Sequence, residues 1–195
     1  MLGWAVPESW FRPLAEASWP EAEHVCFDAT ADGRERWRAA APCDWTVGYS
    51  LGSLLLLEES ARLGGRVALL APIFALPSEE GLGGRVSRTQ VRQLARRLRR
   101  DPRAALGDFY RWAGLGIPLD DSLPPTTVLE WGLERLAQGR VRPPLPGGWR
   151  GWCGEADPLL DAGRLHQLAP AVAVVPGAGH HPGALIGAFV RDVNS

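Results

Sequence analysis

No lysine occurs among the 195 residues; all 21 basic side chains are arginines. The bias reads as that of a GC-rich coding sequence rather than of a guanidinium-specific role. Cysteine is scarce as well. Cys26, Cys43 and Cys153 are odd in number, far apart and without a C-x-x-C pair, which excludes a disulfide framework and a zinc site. A formal net charge of -1 leaves no long-range field to gather nucleic acid or an anionic membrane. No apolar run reaches the roughly 18 residues of a membrane span, and the N-terminus lacks a basic segment followed by an apolar one. Internal repeats and low-complexity tracts are absent. These absences predict a cytoplasmic monomer with no metal or cofactor and no nucleic-acid or membrane partner.

What is present is a 46% hydrophobic chain with nine tryptophans and 22% charged residues, the composition of an ordinary globular protein. Its length suits one domain, or one domain with an insertion, and allows a substantial core. Pro7 to Ala17 has helical spacing, His24 to Ala29 reads as a short strand, and Arg34 to Ala41 as a helix ended by Pro42. Asp44 to Tyr49 is a strand candidate, Leu51 to Leu63 a helix closed by Gly64-Gly65, and Arg66 to Ala71 a buried strand. This βαβ rhythm predicts an α/β protein with a mostly parallel sheet.

Strand signals vanish after Pro72, and three helices follow: Val86 to Arg100, Pro102 to Ala113 and Thr126 to Gln138. Alternation resumes with a strand at Trp149 to Gly154, a helix at Asp161 to Leu168, a strand at Ala171 to Val175 and a closing helix at Pro182 to Val193. The predicted organisation is a core in two parts, 1–71 and 147–195, around a helical cap at 72–146.

Gly48-Tyr49-Ser50-Leu51-Gly52 fits G-x-S-x-G, the nucleophile elbow of α/β-hydrolases, in which a strand turns sharply into a helix and presents the serine. An apolar strand candidate ends at Tyr49 and an apolar helix begins at Leu51, as that motif requires. A serine hydroxyl needs a base within hydrogen-bond reach and an acid that orients the base, in the chain order Ser, Asp or Glu, His. Asp157 and His180 follow the predicted strands ending at Gly154 and Val175, on the sheet edge where open α/β folds assemble sites. Asp161 and Glu155 are alternative acids and His181 an alternative base. His24 and His166 sit in less suitable places. Two N–H donors must also face the oxyanion that forms on the substrate. These are expected from the backbone of Leu51 and, in the Gly3-Trp4-Ala5 loop, of Trp4, even if the Trp4 ring packs against the cap.

With these residues in hand, the chain resembles the pimeloyl-[acyl-carrier protein] methyl ester esterases of biotin synthesis. GWAVPESWFRPL is similar to that family's oxyanion loop and first helix, GYSLGS to its elbow, and VLEWGLERLAQGRVRPPL to its last cap helix. CGEADPLL and PGAGHHP resemble its acid and base loops. The elbow and histidine loop are shared with most α/β-hydrolases, so the cap segment and the Gly-Trp loop carry the specific likeness. The resemblance implies an α/β-hydrolase fold in which Ser50 attacks the methyl ester of an acyl chain tethered to carrier protein. His180 then takes the proton while Asp157 holds the imidazole. It also implies that basic cap residues receive the acidic carrier protein and its phosphopantetheine, with Arg88, Arg92, Arg96, Arg99 and Phe109 as the binding candidates. The sequence adds nine arginines between Arg85 and Arg111 against only Asp101 and Asp108. Arg88, Arg92, Arg96 and Arg99 or Arg100 recur at helical spacing, although a solvated helix face would give the same pattern. The family pattern begins with two further strands and most of a third. About twenty of its residues have no counterpart before Met1, so the N-terminal strands are expected to be missing, through a start assigned too late or replacement by another element. Other readings of the same residues are a general short-chain esterase or thioesterase, and an inactive hydrolase-like binding protein.

Overall fold

The computed structural model describes residues 1–119, 123–145 and 148–194. Four strands, β1 (Trp45–Tyr49), β2 (Arg66–Leu70), β3 (Trp149–Gly154) and β4 (Val172–Val175), form one parallel sheet in the order β1-β2-β3-β4. The register sets Tyr49 beside Leu70, Leu70 beside Trp152 and Trp152 beside Ala173. β3 and β4 run two residues past the ends of β1 and β2, and the loops leaving β1, β3 and β4 all start from the same edge of the sheet. The helices are α1 (Glu8–Ser18), α2 (Ala31–Ala39), α3 (Leu51–Glu58), α4 (Arg88–Arg100), α5 (Pro102–Ala113), α6 (Thr126–Gln138), α7 (Ala162–Leu168) and α8 (Pro182–Val193).

Alternation along β1 decides which helices cover which face. Trp45 and Tyr49 point to one side, where their rings lie 5.0 Å from Phe189 of α8 and 5.5 Å from Phe11 of α1. Gly48 points to the other, where α3 packs so closely that a methyl would sit 2.8 Å from the Ser53 Cα. Every residue of α3 from Leu51 to Leu57 is buried. A helix apolar all round belongs in a core, and each of its buried leucines contributes about 1.5–3 kcal/mol.

Between β2 and β3, helices α4, α5 and α6 pack together as a cap. Ser87 begins α4 with reciprocal bonds, its Oγ accepting from Gln90 N while its N–H donates to Gln90 Oε1. Three ion pairs tie the cap down: Glu80 takes both Arg88 at the head of α4 and Arg140 just past α6, and Glu58 at the end of α3 takes Arg135 of α6. The expected end of the cap at Pro146 lies outside the described residues. Among the described residues no helix is long and apolar enough to cross a membrane.

The spans expected for α5, α6, β3 and α8 agree with the structure; others shift. The helix expected at Arg34 begins at Ala31, because Thr30 Oγ1 accepts from Gly33 N and caps it there. The helix expected to reach Leu63 ends at Glu58 and continues only as a 3-10 turn at Ser60–Arg62. The strand expected at His24–Ala29 does not form as a regular strand. Its backbone bond toward the sheet is Leu2 N donating to Phe27 O at 2.8 Å. Met1 and Leu2 themselves run beside β1, with Met1 N donating to Val47 O at 2.8 Å and Tyr49 N to Met1 O at 3.0 Å.

Candidate active site

The turn from β1 into α3 is a strained one. Ser50 has φ 52° and ψ -118°, a conformation costly for a residue with a Cβ. Surrounding contacts hold it there. Ser50 N donates to Leu70 O at 2.9 Å, and the buried Ser53 hydroxyl donates to Ser50 O at 2.5 Å while accepting from Ile73 N at 3.0 Å. Gly52 lets the turn lie against the N-terminal segment, since a methyl there would meet Met1 O at 2.3 Å and Leu2 O at 2.4 Å.

The loops after β3 and β4 bring an acid and an imidazole to this serine. The Ser50 hydroxyl donates to His180 Nε2 at 3.0 Å, and His180 Nδ1 donates to Asp157 Oδ2 at 2.7 Å. A carboxylate can only accept, which puts the ring proton on Nδ1 and leaves Nε2 free to take one. The other carboxylate oxygen, Oδ1, accepts from Leu159 N at 2.8 Å and Leu160 N at 3.1 Å, so Asp157 cannot swing away from the ring. All three side chains are buried, Asp157 completely.

The rival residues have other work. Asp161 caps α7 by accepting from Arg164 N, and the exposed Glu155 accepts from Gly177 N. His181 caps α8, its Nδ1 accepting from Gly183 N at 3.1 Å, with its ring edge-on to Trp10. Burial lowers the pKa of that imidazole, which keeps the nitrogen available as an acceptor. His24 lies against Trp19 O and His166 against Val172 O.

Leu51 N is the first amide of α3, one of the donors a helix start leaves unpaired. Among the described residues the Trp4 backbone N–H has no acceptor either. The Trp4 indole, by contrast, packs against the cap: Nε1 donates to Leu129 O at 2.9 Å and the ring meets Phe109 edge-on at 4.7 Å. Phe109 is therefore a wall of the site and not a surface residue. The pocket at Ser50 is otherwise lined by Trp4, Leu76, Val91, Leu133 and further apolar side chains. Its free volume is about 20 Å³, room for one water.

The basic candidates divide. Arg88 is paired with Glu80 and Arg99 with Glu130. Arg92 and Arg96 are exposed and have no carboxylate partner among the described residues. Arg92 and Arg99 flank an open groove of about 470 Å³ between α4 and α6, floored in part by Trp131.

Sequence reasoning missed several residues of the site. Tyr49, the variable position of the elbow motif, donates its hydroxyl to His180 O at 2.8 Å, with its ring 5.5 Å from the imidazole. Burial, and then the Asp157 charge, hold this phenol protonated well above its usual range. Arg85 Nη1 donates to Asp157 O at 3.0 Å, steadying the acid loop. The phenol hydroxyl at the last position of β1 was a visible signal for Tyr49. Arg85 gave none, because its partner lies 72 residues away.

No protein-family model matches the sequence, and no curated protein matches it. Solved structures do. An esterase from Exiguobacterium antarcticum superposes with a TM-score of 0.75 at 14% identity, covering 99% of this chain and 90% of that one. A thermophilic esterase from Thermogutta terrifontis gives 0.65 at 16% identity over 99% of this chain and 86% of the other. An esterase from a Rhodococcus species gives 0.64 at 18% identity over 100% and 87%. Taken with the parallel sheet and the strained serine turn at the end of β1, these likenesses show that the chain has the α/β-hydrolase fold.

Proposed function

We propose that the protein is a serine esterase in which Ser50 is the nucleophile, His180 the base and Asp157 the residue that orients it. The observation that carries the reading is the continuous buried chain of two hydrogen bonds from hydroxyl to carboxylate. Ser50 Oγ attacks the ester carbonyl carbon as its proton passes to His180 Nε2, and the carbonyl oxygen becomes an oxyanion facing the N–H groups of Leu51 and Trp4. Collapse breaks the C–O bond, and the proton on His180 leaves with the alcohol. Water, deprotonated by the same nitrogen, then attacks the acyl-enzyme and frees the carboxylate and Ser50.

The apolar lining of the pocket supports an uncharged acyl chain as substrate. The finer reading is a pimeloyl-[acyl-carrier protein] methyl ester, hydrolysed to the free acid and methanol for biotin synthesis. The unpaired, exposed Arg92 and Arg96 support contact with an acidic carrier. The small pocket volume favours a second reading, a general short-chain esterase with the same residues.

A fluorophosphonate probe should label the wild type and not Ser50→Ala, and absence of labelling in folded wild type would refute the hydrolase reading. Charge reversal at Arg92 and Arg96 should lower kcat/KM for the carrier-bound methyl ester about tenfold or more, and leave a free short-chain ester unaffected. An equal loss on both esters would favour the second reading.

A further inference from the structure

The loop that offers the Trp4 amide is gripped from the cap side. The Tyr110 hydroxyl of α5 donates to Ala5 O at 2.5 Å, and Ala5 is one of three non-glycine residues with positive φ among the described residues, at 54°. A left-handed alanine is unfavourable unless its surroundings fix it. From α6, Leu129 O receives the Trp4 indole N–H. Gly132 leaves the space the indole fills: a methyl there would lie 2.3 Å from Trp4 Cδ1 and 2.9 Å from Nε1. Phe109 of α5 closes the remaining side. Within the loop, Val6 N donates to Gly3 O at 3.4 Å.

The pocket adds a second, independent observation. At about 20 Å³ its free volume is too small for an acyl chain, whereas sites that hold small molecules measure about 300–1,000 Å³. Its walls come from both layers: Ser50 and Ile73 from the core, and Val91, Phe109, Leu133 and Leu136 from the cap. Admitting an acyl chain separates those walls, so the helices that must move to admit substrate are the ones that hold Trp4.

Resting on the esterase reading above, we infer that Tyr110 and Gly132 are positioning residues for the oxyanion donor. The Trp4 amide stands at its post only when the cap is seated, so a productive oxyanion hole forms as the cap closes over bound ester. The cap in this way links occupancy of the pocket to competence of the reaction centre.

The test compares wild type with Tyr110→Phe, which keeps the ring and removes the hydroxyl, and Gly132→Ala, which displaces the indole. Asp108→Asn serves as a control that breaks ion pairs on the exposed side of α5. Hydrolysis of p-nitrophenyl butyrate gives kcat and KM. Inhibition by an alkyl trifluoromethyl ketone, which forms a tetrahedral oxyanion on Ser50, reads the hole directly. The expected result for Tyr110→Phe is a loss of about tenfold in both kcat and ketone affinity, with KM within about twofold of wild type; for Gly132→Ala the loss is about a hundredfold. Asp108→Asn should match wild type. An active wild type whose Tyr110→Phe and Gly132→Ala variants keep kcat and ketone affinity, or change KM alone, overturns this inference and leaves the esterase reading standing. A wild type that neither hydrolyses the ester nor binds the ketone overturns both.

Discussion

Tyr49 is the residue on which the two halves of the site meet. It directly precedes Ser50, the proposed nucleophile, and its hydroxyl holds the carbonyl of His180, the proposed base. Removing that hydroxyl leaves His180 O buried and unsatisfied, at a cost of about 1 kcal/mol or somewhat more. It also frees the imidazole to drift from Ser50. Tyr49→Phe should therefore lower kcat for a short ester about tenfold while denaturant unfolding shows only that modest loss; unchanged kcat would remove Tyr49 from the positioning of the base. Ser50, Asp157 and His180 were legible in the sequence because each belongs to a local pattern: a strand, a turn with glycines, and polar residues just past the next strand ends. Tyr49 and Arg85 were not read, because what they do depends on which distant carbonyl arrives beside them.

Among the elements, the apolar helix α3 ends in a cluster of charge. Its last residue, Glu58, binds Arg34 of α2 at 3.0 Å and Arg135 of α6 at 2.8 Å, and the next, Glu59, binds Arg34, Arg38 and Arg62. The Arg38 hydrogen bond, followed by Arg34, holds the Glu59 carboxyl below its ordinary value of 4.5. A carboxyl depressed on folding contributes stability above its unfolded pKa and loses it as pH falls through the folded value. Glu59→Gln should accordingly cost about 1–2 kcal/mol at neutral pH, because the mostly buried Arg34 keeps Glu58 but loses one of its two counter-charges. The variant should also fall less steeply than wild type below pH 4.5. Urea titrations across that range would show it, and parallel curves would rule Glu59 out as an acid-sensitive tie. The end of the helix here was not legible in the residues, since Glu58 and Glu59 are good helix formers.

For the molecule as a whole, the change from alternating strands and helices to three successive helices between β2 and β3 was legible because two hydrophobic periods, of about 2 and 3.6 residues, occupy separate stretches of chain. How the cap sits was not legible, because it is fixed by pairs such as Glu80 with Arg88 and Arg140 that periodicity does not encode. Glu80→Gln should raise hydrogen exchange in α4 and α6 while leaving β1 to β3 protected, and lower the melting temperature by a few degrees. Uniform change across sheet and helices would mean that the clamp serves the entire fold. The burial of α3 carries a further consequence. On the esterase reading, the hydroxyl and the imidazole stand at the ends of core strands, whereas the amide that would greet the developing negative charge is gripped from the cap helices as well, through Tyr110 and Leu129. A proposed reaction centre that draws on both should fail in stages, so gentle warming should cost turnover before circular dichroism registers any loss of the sheet.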